Sequence, residues 1–488
     1  MNQIKSLAGQ TLVYGMGTIV PRILNYLLLT PFYTRIFAEP EYGKFTKLYA
    51  YSAFFIVLLT FGTETSFFRY AKKYAQKTVF SNAFFFIIVT TLLSSTYVFF
   101  NINEITQFLN VDGAKTIVLI VLGIVLTDIL TSLPFARLRF ENKARHFSIL
   151  KVINVLLNIG FNVFFLYLLP KIQHIEFFQS IYSPGFTYGY AFLSNLLANA
   201  ITLLILLPTY QFYFRAIDFK IIGIMLLYSY PIVLSGLAGM INDVGDKIFL
   251  DFFIQDSFEG NYAIGVYGAN YKIATLMIIF IQMFKYAAEP FFFRISDQSD
   301  HRQTYAQVTK AFVYTGLLIF IGIIGYIDLF KYFIDVEYRV GLNIVPFVLL
   351  GNFFFGVFYN VSIWYKITDK TRFGMYFTFI GAAITIVLNA ILVPKYGYMG
   401  AAIATLACFV SMAVVNIIVG HKQYPIPYEW KKMGTIFSFT TVLAAFFWIF
   451  RSNNLFYSLL LGTLIIFTYL ILLFFTDRSL FKMLRKQD

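Results

Sequence analysis

Tyr42–Tyr70 reads YGKFTKLYAYSAFFIVLLTFGTETSFFRY, and 225 residues later Tyr267–Ile295 reads YGANYKIATLMIIFIQMFKYAAEPFFFRI. Laid one over the other without a gap, 9 of the 29 positions are identical, among them Lys47/Lys272, Glu64/Glu289 and Arg69/Arg294. Composition in so Phe-rich a chain supplies about two or three such matches, and apolar bias cannot supply the charged ones. The correspondence continues outward with small changes of offset. Arg35-Ile36-Phe37 faces Lys247-Ile248-Phe249, Asn142-Lys143-Ala144-Arg145 faces Asp369-Lys370-Thr371-Arg372, and Pro170-Lys171 faces Pro394-Lys395. The chain is an internal repeat, and a repeat constrains architecture before any motif does.

The repeat unit is apolar. Of 488 residues 59% are hydrophobic and 13% charged, where a soluble domain carries about a quarter charged. Disordered, collagenous and disulfide-framework classes are excluded, and the single Cys408 lies in an apolar run. A bilayer-spanning helix takes about 20 apolar residues. Windows of that size predict fourteen, near 8–34, 43–68, 79–100, 116–136, 148–169, 190–212, 221–249, 266–292, 309–327, 342–365, 373–393, 398–419, 434–450 and 455–475. Six spans per repeat is an even number, so both copies enter the membrane the same way round, related by an axis along its normal. The expected fold is all-α and integral to the membrane. It has two six-helix lobes, 1–218 and 219–422, related by a pseudo-twofold along the membrane normal, with two further helices in 423–488. The first apolar segment is too long for a signal-peptide core. The longest loop, around Lys171–Gly189, is too short for a folded domain.

The formal net charge of +14 reads as an orientation code and not as a nucleic-acid surface. Nine basic residues, Arg35, Lys44, Lys47, Lys115, Lys171, Lys331, Arg339, Lys395 and Arg451, fall on one side of the predicted spans, and 25 fall on the other. The richer side includes Lys5, Arg69, Arg139, Lys151, Lys310, Lys366 and Arg478, Lys482, Arg485 and Lys486. The excess predicts that both termini are cytoplasmic. Four cations, Arg22, Lys247, Lys272 and Lys285, fall inside spans.

An ionisable group at the bilayer centre costs about 2.5–3.5 kcal/mol on insertion scales, so each calls for a partner or a wet cavity. The first span holds Pro21-Arg22 and Pro31. Its repeat partner holds Pro231, Gly236, Gly239 and Gly245 beside Asp243, Asp246 and Lys247. Broken helices at matching places in two halves point to a transport site. Arg22 is a candidate phosphate-binding cation, or a snorkelling or structurally paired one; Lys247, Lys272 and Lys285 join it as candidate substrate-binding residues. Asp243 and Lys247 share a helix face, as a salt bridge or an ion-coupling site, and Asp246 is expected to meet Lys272 or Lys285. Lys285 and Glu289 have the same four-residue spacing. Glu64 and Arg69, with Glu289 and Arg294, are candidates for a gate between lobes, or for helix-end anchoring. Asp128 reads as a proton site or a bundle hydrogen bond. The Phe clusters face lipid or pack helices, and Trp364 and Trp430 fit an interfacial belt.

No Gly-x-x-x-x-Gly-Lys-Ser/Thr occurs, so no P-loop is expected. Four scattered His and one Cys give no transition-metal site, no cofactor is implied, and no loop is large enough to carry an enzyme's catalytic groups. The chain reads as a transporter and not an enzyme.

Thr11-Leu12-Val13-Tyr14-Gly15 through Pro21-Arg22 to Thr34-Arg35-Ile36-Phe37 and Glu41-Tyr42-Gly43, with Pro394-Lys395-Tyr396-Gly397-Tyr398-Met399-Gly400-Ala401-Ala402-Ile403-Ala404-Thr405, resembles the polysaccharide transporter family of the multidrug/oligosaccharidyl-lipid/polysaccharide flippase superfamily. The resemblance covers nearly the whole chain. It implies flipping of an undecaprenyl-pyrophosphate-linked oligosaccharide across the bacterial inner membrane for O-antigen, capsule or exopolysaccharide assembly. It also implies a glycan polymerase and a chain-length regulator as partners, membrane lipid around it and no nucleic acid. Lipid II flippases of the superfamily look similar around Arg22 and Arg35, but carry an Arg-Asp pair where this chain has Leu28-Leu29. Multidrug cation antiporters of the superfamily usually have twelve spans. Coupling to an ion or the membrane potential would use Asp243, Asp246, Glu64 or Glu289, each charge crossing 100 mV being worth about 2.3 kcal/mol.

Overall fold

A computed structural model describes residues 15, 17–111, 115–296, 300–452 and 454–477. Thr11–Tyr14 of the opening pattern, and Lys5, Arg478, Lys482, Arg485 and Lys486 of the charge bias, lie outside the described residues. The described residues are helical throughout, with no strand among them. Twelve of their helices are long and apolar enough to cross a membrane, against fourteen expected. One of the twelve, Arg372–Gln423, is two helices merged across Gly397, whose backbone (φ 53°, ψ −134°) is not helical.

By their contacts the residues form two compact units, Met1–Gly265 and Val266–Asp488. In the first, α1 runs from 17 to 36 with a π-helical turn at Asn25–Leu29, between Pro21 and Pro31. Besides two four-residue helices, Leu169–Ile172 and Glu176–Gln179, the other α-helices are α2 (Glu39–Thr60), α3 (Thr63–Tyr70), α4 (Gln76–Phe100), α5 (Ile102–Phe108), α6 (Lys115–Phe140), α7 (Ala144–Val163), α8 (Thr187–Leu206) and α9 (Phe219–Phe253). Phe61 (φ 45°) and Gly62 (φ 64°) are both left-handed and separate α2 from α3. The matched expectation of a broken seventh span does not hold. The cyclic Pro231 removes one donor, yet α9 continues through it for 35 residues, because its packing on α2, α3 and α4 supports it on both sides of the proline. Phe67, Phe80, Ile87, Ile129 and Leu133 form the buried core beneath them.

Helix α10 (Ser257–Ile295) begins in the first unit, and there its glycine spacing permits close backbone approach. A Cβ on Gly265 would lie 1.9 Å from the Glu39 carbonyl oxygen, and one on Gly43 would lie 1.8 Å from that of Asn261.

The second unit holds most of α10, then α11 (His301–Gly325), α12 (Val345–Val361), α13 (Ile363–Ile367), α14 (Arg372–Gln423), α15 (Trp430–Phe450) and α16 (Leu455–Thr476). The two C-terminal helices are fastened to α11 at both its ends. Buried Lys310 reaches Glu429 at 2.6 Å and Asp477 at 2.7 Å. At the other end Ser458 donates to Asp328 at 2.5 Å, and a Cβ on Gly462 would meet the Gly325 carbonyl at 1.9 Å. Trp364 does not lie in an interfacial belt. It is among the largest fully buried side chains, because its indole N–H finds Asn416 Oδ1 at 2.8 Å inside the unit.

The repeat reappears in the backbone. Asn142 (φ 57°) and Asp369 (φ 55°) are left-handed residues at matched positions after α6 and α13, where the chain turns into the next helix.

Candidate functional site

In the first unit the charges inside the spans form one neighbourhood. Arg22 is exposed on α1, and among the described residues it makes no direct ion pair. Its field reaches Asp243 on α9 and Lys151 on α7. Asp243 is likewise exposed, and the charges of Lys247, Asp246 and Arg22 act on it. Lys247 does not close directly on Asp243. Its backbone N–H and its ammonium both donate to Asp246 Oδ1 at 2.8 Å, leaving Asp243 with Lys247 and Arg22 as through-space partners.

Asp128 on α6 accepts from Asn199 Nδ2 at 2.9 Å, and Asn199 accepts in turn from Asn154 Nδ2 at 2.9 Å. Three helices are joined by that run. Lys151, one turn before Asn154, lies 4.0 Å over the Phe135 ring and is coupled by charge to Asp128 and Glu64. Lys151 and Arg139, two of the basic residues of the richer side, lie within helices and belong to this network.

Glu64, placed by the left-handed break at Phe61-Gly62, pairs with Arg139 Nη2 at 2.5 Å. Arg69 stacks 4.5 Å from the Tyr228 ring centroid. Beyond the end of α6, burial pushes the Glu141 carboxyl up, but bonds from Lys143, Arg137 and Gln76 outweigh it and hold the group below the usual carboxylate range.

A second cluster belongs to the other unit. Glu289 accepts from Tyr359 Oη at 2.7 Å and from Lys366 Nζ at 2.9 Å. Lys366 is also 3.0 Å from Tyr359 Oη. The Lys285 ammonium lies 4.6 Å over the same tyrosine ring, so Glu289 and Lys285 share Tyr359 as a neighbour besides their common helix face. A small cavity opens beside them, lined also by Phe284, Phe292 and Asn360. Arg294 is exposed, 5.8 Å from the Phe291 ring centroid, and Lys272 is half-buried on α10.

Each candidate gate carboxylate therefore finds its cation within its own unit, and the two pairs are repeat equivalents. Glu64 and Glu289 match at the offset of 225, and Arg139 and Lys366 match at the offset of 227 carried by Asn142/Asp369. Lys366 and Arg139 were both legible as matched basic positions, but only as loop charges. Lys47 and Asp251 were missed in the same way: Lys47 is fully buried on α2, 2.8 Å from Asp251. No group of three or more potential metal ligands occurs among the described residues.

A family profile described as "Polysaccharide biosynthesis protein" matches residues 7–296. Among solved structures, lipid II flippase MurJ in an inward closed conformation is similar, with TM-score 0.74 and 16% identity, over 96% of this chain and 100% of that one. A multidrug resistance MATE family transporter of the MOP superfamily, inward-facing, has TM-score 0.61 and 14% identity over 85% and 98%. A variant of the Vibrio cholerae MATE transporter VcmN has TM-score 0.59 and 12% identity over 86% and 98%. At such identities the likeness is one of fold. No curated sequence matches the chain.

Proposed function

We propose a function on one premise: the chain belongs to the polysaccharide biosynthesis protein family. It is a multi-pass membrane protein with the fold of MOP-superfamily transporters. In our reading it flips an undecaprenyl-pyrophosphate-linked oligosaccharide from the cytoplasmic to the periplasmic leaflet of a bacterial inner membrane, with both termini in the cytoplasm. Arg22 carries this reading. An exposed guanidinium, set within a span, acting through space on Asp243 and without a direct ion pair among the described residues, offers planar donors to phosphate oxygens, while the prenyl tail stays in lipid. Lys247, Lys272 and Lys285 supplement it as cations of the same pathway. Asp243, Asp246 and Asp128 are the coupling carboxylates, whose charge the membrane potential acts on. A glycan polymerase and a chain-length regulator would take the product.

The test is accumulation of lipid-linked oligosaccharide on the cytoplasmic face after deletion of the gene, relieved by the wild-type gene. Absence of accumulation, with glycan export unchanged, would overturn the reading. Lipid II is the second reading, favoured by the coverage of the whole MurJ chain. Growth of cells depleted of their lipid II flippase, supported by this chain alone, would select it.

A further inference from the structure

The two units keep one ion pair in common and differ around it. Beside Glu64–Arg139 the first unit has Thr60 and Ser132, whose hydroxyls bond their own helices, to Ile56 O and Ile129 O at 2.7 Å each. At the matching positions of the second unit stand Lys285 and Tyr359; Tyr359 Oη donates to the shared carboxylate at 2.7 Å, and the Lys285 ammonium lies 4.6 Å over the Tyr359 ring. The second unit thus sets an ammonium and a phenol where the first has two hydroxyls turned to their own helices, and a small cavity lined by Glu289, Tyr359 and Lys366 adjoins them.

From this asymmetry we infer that Lys285, Tyr359 and Lys366 form a phosphate-binding subsite in which Glu289 sits as a resident, displaceable anion. The donor set is what a phosphate takes: an ammonium and a neutral O–H that now both donate to one carboxylate, with a second ammonium beside them over the Tyr359 ring. Glu289 is 34% exposed and Lys366 21%, so an incoming anion can reach both. The subsite lies close to where α10 and α13 both end, beside the Asp369 turn, the place where a headgroup would first meet the protein if that end is cytoplasmic. It deepens the flippase reading by naming the part of the substrate recognised, and it rests on that reading for its biological ligand. The carboxylate has a purpose in this scheme. It keeps Lys366 and Tyr359 in place and lets the anion leave again, since a cavity with bare cations would hold its cargo.

The experiment is titration of the purified full-length protein in nanodiscs with inorganic pyrophosphate, read by calorimetry. Glu289→Gln removes the competitor but keeps a hydrogen-bonding side chain, and should tighten binding about tenfold, which is about 1.4 kcal/mol. Lys366→Met and Lys285→Met should each weaken it by at least as much, and Glu64→Gln in the other unit should leave it as in wild type. Binding no tighter in Glu289→Gln, in protein that remains monodisperse, overturns the subsite; so does unchanged binding in the lysine variants, which covers the case where Glu289→Gln fails to fold. Displacement of pyrophosphate by undecaprenyl pyrophosphate assigns the site to a lipid headgroup, and pyrophosphate binding indifferent to that lipid assigns it to a free anion. The readout needs no transport. Pyrophosphate binding without glycan export would leave the subsite standing and remove the flippase, and export without binding would do the reverse.

Discussion

Lys47 and Asp251 form an ion pair with almost no share in solvent: the ammonium is fully buried, the carboxylate is 9% exposed, and they meet at 2.8 Å. Tyr51 Oη lies 3.5 Å from the second carboxylate oxygen. Removing one partner of such a pair strands the other charge. Lys47→Met or Asp251→Asn should each cost about 3–5 kcal/mol. The double variant Lys47→Met with Asp251→Leu should recover most of that, because an apolar pair strands nothing. Melting of the detergent-solubilised proteins measures all three, and a double variant as unstable as the worse single one would contradict the argument.

Arg22→Ala should abolish glycan export while the protein still reaches the membrane in normal amount, and Arg22→Lys should restore export in part, since it returns the charge without the planar fork. Surface glycan on immunoblots, set against protein level, reads both. Export at wild-type rate by Arg22→Ala would remove the cavity cation from the mechanism.

The pair Glu64–Arg139 is half-exposed, and its two side chains meet at 2.5 Å. If the pair matters as a pair, Glu64→Arg and Arg139→Glu should each impair export, and the two together should restore it. Glu64→Gln should be milder than Glu64→Arg, because it loses an attraction without adding a repulsion. Additive losses in the swapped double variant would show that the two residues act separately.

Glu429 stands just outside α15, where hydrogen bonds from Lys310 and then Lys432 hold its carboxyl below the usual glutamate range. A depressed carboxyl pKa stabilises the folded protein above the unfolded group's pKa, about 4.3, and the contribution fades as pH falls through the lower folded value. Acidification below about pH 4 should therefore lower the melting temperature, and Glu429→Gln should flatten that slope while leaving the neighbouring Asp477 on Lys310. An identical acid slope in the variant would remove Glu429 from the acid response.

The spans and the repeat were readable because hydropathy is local and because matched charges survive in register, as Glu64/Glu289 does. Partners were not readable. Charge counting treats a cation near the end of a span as a loop residue, yet Lys47, Arg139, Lys151 and Lys366 all lie in helices and point to carboxylates or rings on other helices. Their partners are decided by packing between helices far apart in sequence, as with Lys47 and Asp251. The π-helical turn in α1 was readable as a disturbance between two prolines, whereas the continuity of α9 through Pro231 depends on neighbours that no window contains. Trp364 was misplaced for the same reason: what keeps it from the interface is Asn416, 52 residues on.

The left-handed step at Phe61-Gly62 has no counterpart at Tyr286-Ala287, where α10 runs on unbroken. Two copies of one ancestral segment have thus diverged in mechanics while keeping the same carboxylate and arginine. One became an elbow, held by the Thr65 and Ser66 backbone N–H groups and the Ser229 hydroxyl on the Gly62 carbonyl; the other became a continuous helix. From a single blueprint, duplication thus left one ion pair beside a joint between two helices and its equivalent beside one continuous helix.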